Sequence, residues 1–185
     1  GRMVLRSIYE NKFNKKIKVV AINNKASADV SAFLLQKDTI HGDFKLIVKN
    51  TRDTLFINKD KIALSNKLEP KECPWKKHKI DIVFECSGKF NTKSQASGHI
   101  KAGAKKVIVS APCKNADKTV VFGINHKKIT KKDKVVSVAS CTTNCLAPVV
   151  SVLNENFGIE KGYMTTVHAY TSDQRLLDNS HKDLR

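Results

Sequence analysis

Ile80-Asp81-Ile82-Val83-Phe84-Glu85-Cys86-Ser87-Gly88, with residues 93–101 and then Lys106-Val107-Ile108-Val109-Ser110, is the stretch that decides the fold. The first run is dense in β-formers and ends in a small-residue turn, as a buried strand does. Residues 93–101 predict a helix, and Gly103 supplies its stop. The third run is again a buried strand. A strand, a helix and a strand at this spacing form the crossover unit that lays two strands parallel. Upstream, residues 1–10 predict an amphipathic helix, residues 17–23 a buried strand and residues 28–36 a second helix. Downstream, residues 135–139 predict a strand and residues 142–156 a helix closed by Gly158. The alternation specifies an α/β fold with a Rossmann-type doubly wound parallel sheet. Three short alternating segments between residues 44 and 64 predict small antiparallel strands. Trp75 is expected as a packing anchor and His41 as a structural loop histidine.

The chain has 185 residues, enough for one or two domains, with 41% hydrophobic and 28% charged residues. No apolar run approaches the roughly 20 residues of a membrane span. A net charge of +17 first suggests nucleic acid, but 29 of the 34 basic residues are lysine, in dispersed clusters without interleaved aromatics. Sequence-reading sites favour the planar guanidinium, so specific nucleic-acid binding is not expected. Five cysteines without framework spacing point to thiols in a reducing cytoplasm. Cys141 and Cys145 lie one helical turn apart, but no nearby Cys or His completes a tetrahedral set, and no metal is expected. Cys145 is expected to pack beside Cys141.

Ser140-Cys141-Thr142-Thr143-Asn144-Cys145-Leu146-Ala147-Pro148 begins where the 135–139 strand hands over to the following helix. A thiol in a helix's first turn meets the positive end of the dipole, which favours thiolate. Hydroxyls on Ser140, Thr142 and Thr143 surround it at a terminus suited to an anion. The alternative on residue chemistry alone is a buried structural cysteine. His168 lies 27 residues beyond Cys141, in a run of β-formers (Gly162 to Thr171) expected to return as a strand.

The nine-residue run at Ser140 is similar, without a change, to the SCTTNCLAP active-site signature of the phosphorylating glyceraldehyde-3-phosphate dehydrogenases. Met164-Thr165-Thr166-Val167-His168-Ala169-Tyr170-Thr171 matches that family's MTTVHAYT strand. Asp38 to Phe44 resembles its DSTHGRF segment, with Ile40 and Asp43 departing. Cys86-Ser87-Gly88 stands for its STG turn, Ser110-Ala111-Pro112 for its SAP turn, and residues 119–126 resemble its following strand. The resemblance runs from Gly1 to Arg185. It implies a dinucleotide-binding domain over residues 1–139, its first strand missing, and the truncated start of an α+β catalytic domain over residues 140–185. Gly1 falls at the last glycine of the family's Gly-x-Gly-x-x-Gly loop, so the fingerprint here is one glycine. A polypeptide roughly twice this size is expected, with this segment inactive alone.

The resemblance implies Cys141 as nucleophile and His168 as base. It places Ser140, Thr142, Thr171 and Asp173 at the phosphate of the substrate or of the attacking anion. Cofactor contacts are implied at Gly1, Arg2, Asn24, Lys25, Ser87, Gly88 and Ser110. Asn24 stands where NAD-preferring members carry Asp, about 20 residues beyond the glycines. The missing carboxylate removes a repulsion toward a 2′-phosphate and Lys25 adds an attraction, so NAD or NADP is expected; a plain turn is the alternative. The implied reaction oxidises glyceraldehyde 3-phosphate, with inorganic phosphate, to 1,3-bisphosphoglycerate through a thiohemiacetal and a thioester, in a cytoplasmic homotetramer. Three other readings stand beside it: an erythrose-4-phosphate dehydrogenase, a Cys–His hydrolase, and a non-catalytic polyanion-binding protein.

Overall fold

A computed structural model gives the structure of the chain and describes residues 1–170. The chain divides into two units, Gly1–Ser151 and Val152–Arg185.

The first unit opens with α1 (Arg2–Glu10), whose Arg6, Ile8 and Tyr9 are buried. Val4 and Ile8, and Leu5 and Tyr9, are four apart and so share a face. That face packs on Ala32 and Leu35 of α2 (Ala28–Gln36) and on Phe44, Leu55, Ile57 and Ile62. Ser27 caps α2, its Oγ accepting the Val30 N–H at 3.3 Å. Arg6 is buried yet satisfied. Its Nε donates to Glu10 Oε1 at 3.1 Å, its Nη1 to the Gly42 carbonyl at 2.9 Å, and its guanidinium lies 5.4 Å from the Phe44 ring centroid.

One sheet has the order β1-β4-β3-β2. Here β2 (Val48–Asn50), β3 (Thr54–Ile57) and β4 (Asp60–Ser65) form the expected antiparallel meander, and β1 (Ala21–Asn23) lies parallel to β4. The second sheet has the order β5-β6-β8-β7 and is parallel throughout. It contains β5 (Ile82–Glu85), β6 (Lys106–Val109), β7 (Lys118–Thr119) and β8 (Val135–Ser137), with α3 (Lys93–Lys101) as the β5–β6 crossover. The α/β class and the parallel sheet are as expected. The strands are shared between two sheets because the meander returns β4 to the side of β1, while β5 through β8 pair among themselves.

The strand expected over residues 119–126 shortens to the two residues of β7. The Asn125 side chain takes the groups a ladder would need: its Oδ1 accepts the Val121 N–H at 2.7 Å and its Nδ2 donates to the Thr119 carbonyl at 3.2 Å. A local amide thus outcompetes pairing. Trp75 is buried, as expected of a packing anchor.

α4 (Cys141–Phe157) follows β8. In the described part of the second unit, Gly158 ends this helix at φ +69°, its N–H on the Asn154 carbonyl at 3.0 Å. The strand expected from Gly162 is not formed over the described residues 162–170. A strand exists only as part of a ladder, and none of these residues has a ladder partner among the described residues. Among the described residues no helix is long and apolar enough to cross a membrane.

Candidate active site

The β8–α4 junction presents Cys141. All three residues of β8 are buried, so the strand end is fixed in depth. Ser137 Oγ donates to the Ala111 carbonyl at 2.8 Å and accepts the Ala139 N–H at 3.1 Å. Ala139 then turns the chain at φ +62°, a left-handed value costly for a residue with a Cβ. Ser140 caps the helix: its Oγ accepts the Thr143 N–H at 3.0 Å and lies 2.8 Å from Thr143 Oγ1. Asn144 seals the turn, donating from Nδ2 to the Val138 carbonyl at 2.7 Å and the Ser140 carbonyl at 2.9 Å. Ser140, Thr143 and Asn144 therefore build the junction that presents Cys141.

Cys141 is the first helical residue and is exposed; Thr142 beside it is half-buried. The alternative of a buried structural cysteine fits two other thiols. Burial, then the charges of Glu85 and Glu72, pushes Cys73 up to about 11, and burial also raises Cys113. Cys145 is exposed rather than packed, because this part of α4 is itself open: Val149 and Val150 are exposed as well. A cleft of about 260 Å³ opens at the junction, lined by Pro112, Cys113, Thr119, Ser137, Ala139, Ser140 and Thr143. It joins the turn after β6 to the cap of α4.

His168 lies in the second unit and is exposed, with Nδ1 against the Ala169 carbonyl. Thr171 and Asp173 lie outside the described residues. Among the described residues no three His, Cys, Asp or Glu side chains gather as a metal site.

The expected cofactor residues fall into two groups. Ser87, Gly88 and Ser110 follow the C-terminal ends of the parallel neighbours β5 and β6, the edge where such sheets bind ligands. Glu85 organises both turns. Its Oε1 accepts the Ser87 N–H at 2.6 Å and its carbonyl accepts the Ser110 N–H at 2.9 Å. Gly88 has φ +72°, and nothing stands within 4 Å of where a Cβ would be. Gly1, before α1, comes to the same edge: a Cβ on it would lie 3.6 Å from Cys86 Cβ. Backbone and small side chains therefore gather at this edge, a lining that fits the close approach of a dinucleotide.

Asn24 and Lys25 follow β1. The Asn24 Oδ1 accepts the Ala26 N–H at 3.3 Å and its Nδ2 donates to Ser31 Oγ at 2.9 Å, so this side chain does the work of a turn that leads into α2. Lys25 is exposed, and the Lys89 ammonium within hydrogen-bonding reach lowers its pKa. Two cations thus meet between the turns after β1 and β5. The Arg2 guanidinium donates to the Leu34 carbonyl at 2.9 Å and sits 3.7 Å from Asp38, so this side chain is taken up by the far end of α2. The His41 N–H and side chain, with the Ile40 N–H, hold the Asp38 carboxyl at about 2 despite desolvation, so His41 is a loop-building residue.

Sequence reasoning missed Glu85, which binds His99 at 2.7 Å across 14 residues. Its one signal was an acid inside an apolar strand. Arg6 was missed too, since its partners Gly42 and Phe44 are remote in sequence.

Comparison with known proteins agrees with this geometry. The family description "Glyceraldehyde 3-phosphate dehydrogenase, NAD binding domain" matches residues 1–93, and "Glyceraldehyde 3-phosphate dehydrogenase, C-terminal domain" matches residues 140–185. Glyceraldehyde-3-phosphate dehydrogenase 2 of Bacillus subtilis is 53% identical, over 100% of this chain and 54% of the relative. The glyceraldehyde-3-phosphate dehydrogenase of Mycoplasma pneumoniae is 50% identical over 100% and 54%, and that of Pseudomonas aeruginosa 48% over 100% and 55%. The chain spans about half the length of these relatives. With both family descriptions matched and the signature unaltered at an exposed helix start, the chain belongs to the glyceraldehyde 3-phosphate dehydrogenase family.

Proposed function

We propose that the protein to which this chain belongs catalyses the phosphorylating oxidation of glyceraldehyde 3-phosphate to 1,3-bisphosphoglycerate with NAD or NADP. The observation that carries this reading is Cys141, exposed at the first position of α4 and held there by the Ser140 cap. The helix start favours the thiolate, which attacks the aldehyde carbonyl and forms a thiohemiacetal. His168 takes the hydroxyl proton as the carbon is oxidised. A bound nicotinamide supplies the hydride acceptor. Inorganic phosphate then attacks the thioester and releases the thiolate with the acyl phosphate. Ser140 and Thr142, with Thr171 and Asp173, serve the phosphate groups. Gly1, Arg2 through its backbone, Asn24, Lys25, Ser87, Gly88 and Ser110 serve the dinucleotide. The Lys25–Lys89 pair and the absent carboxylate at Asn24 suit a 2′-phosphate, and thus NADP as well as NAD.

Residues 1–139 are read as the dinucleotide-binding part and residues 140–185 as the start of the catalytic domain. A cytoplasmic homotetramer completes the reading, supported by family membership and by five cysteines present as thiols. The test uses the full-length polypeptide: NAD(P)H formation from glyceraldehyde 3-phosphate, dependent on phosphate, with Cys141→Ser beside it. The substitution is expected to abolish turnover, and His168→Asn to lower kcat by about 10²–10⁴. Undiminished turnover in Cys141→Ser would sink the mechanism.

A further inference from the structure

We propose that Glu85 and His99 are positioning residues for the dinucleotide, locked by Trp75 into one tautomer so that the Glu85 carboxylate holds the Ser87 amide in place. This rests on the dehydrogenase reading of the crevice. The three side chains are all at least 94% buried: Trp75 is 4%, His99 5% and Glu85 6% exposed. The Trp75 indole N–H lies 2.9 Å from His99 Nδ1. An indole can only donate, so Nδ1 accepts and the imidazole proton sits on Nε2. Nε2–H therefore donates to Glu85 Oε2, at 2.7 Å. The other carboxylate oxygen accepts the Ser87 N–H at 2.6 Å, and the Glu85 carbonyl accepts the Ser110 N–H at 2.9 Å. The side chain thereby fixes the Ser87 turn, while the backbone carbonyl carries the β5–β6 pairing on to Ser110.

The alternative is a polar tie that merely fastens α3 to β5. Two observations favour the positioning role. The donors converge on the carboxylate, indole to imidazole to Oε2 from one side and the Ser87 N–H to Oε1 from the other, so the chain reaches the turn after β5 rather than ending within the core. Its base is also rigid: a Cβ on Gly98 would lie 2.9 Å from Pro70 Cβ, and one on Gly103 2.8 Å from the Lys76 backbone, so α3 is pressed onto the segment that carries Trp75. Burial works to raise the Glu85 pKa, but hydrogen bonds from His99 and Ser87 outweigh it and hold the carboxyl below its ordinary value, in the acceptor form that the geometry needs.

The test compares NADH and NADPH binding by fluorescence titration in the full-length protein and in Glu85→Gln, Trp75→Phe and the double variant. In Glu85→Gln the new NH2 must face either the His99 Nε2–H or the Ser87 N–H, both donors, and the imidazole cannot switch tautomer without setting its own N–H against the indole. Dinucleotide affinity is expected to fall roughly ten-fold. Trp75→Phe frees the imidazole to carry its proton on Nδ1 and accept from that amide, so the double variant regains most of the affinity. A purely structural tie would shift the urea midpoints of these variants and leave dinucleotide affinity at the wild-type value. Wild-type affinity in Glu85→Gln, or weaker binding in the double variant than in the single, overturns the proposal. Should Glu85→Gln not fold, amide exchange in the wild type decides: the Ser87 amide must be protected, and fast exchange there overturns the proposal. A wild-type protein that binds neither dinucleotide refutes the dehydrogenase reading itself, and this proposal with it.

Discussion

Replacing Gly103 by alanine tests how tightly α3 is set against the segment behind the crevice. Gly103 has φ +110°, and a Cβ there would stand 2.7 Å from Lys76 Cβ and 2.8 Å from its Cα and N. The Lys76 backbone cannot retreat freely, because its N–H donates to the Ala102 carbonyl at 2.9 Å. A left-handed conformation costs an L-residue about 1–2 kcal/mol. Forcing extra volume into a packed site costs about 1–3 kcal/mol more. The total, roughly 2–5 kcal/mol, is a large part of the ~5–15 kcal/mol that holds a domain together. Gly88→Ala is the control. It shares the positive φ (+72°) but has nothing within 4 Å, so only the backbone part, about 1–2 kcal/mol, applies. Urea unfolding reads the difference, with fluorescence of Trp75, the one tryptophan of this chain and adjacent to the contact, as reporter. Equal losses in the two variants would refute the steric reasoning, since only at Gly103 does the methyl meet a neighbour.

Ser140→Ala removes the acceptor of the Thr143 N–H and is expected to cost about 1 kcal/mol, with faster exchange of the Thr143 amide and slower alkylation of Cys141; an unmoved Thr143 exchange rate would contradict the cap. Burial, then the hydrogen bond and charge of Asp60, pushes the Tyr9 phenol up. The folded state therefore holds this proton more tightly than the unfolded one, so the stabilisation is full below the ordinary value of about 10 and is lost as pH rises through the folded value. Urea midpoints taken from pH 8 to pH 11 should decline more steeply in the wild type than in Tyr9→Phe, and parallel declines would count against the assignment.

Most of the architecture was legible because it is locally encoded. The predicted spans of α2 and α3 coincide with those observed, since Ser27 and Thr92 cap them through bonds that span three residues. The Ser140–Asn144 junction was legible for the same reason. Features set by partners elsewhere in the chain were not. The Arg2 side chain finds Leu34 and Asp38, both remote in sequence. Asn125 ends β7 through a bond that no propensity registers, and residues 162–170 have the composition of a strand without a ladder partner among the described residues. The Trp75–His99–Glu85 chain joins three segments that only the β5–α3–β6 crossover brings together.

Ala139 carries a consequence of its own. A methyl-bearing residue wound the wrong way, immediately before the cap that presents the thiol, is a small debt of stability written into the chain at its most reactive point. Glycine there would relax the turn and loosen it at once. Engineering for heat resistance at this corner therefore trades directly against how firmly the sulfur is aimed.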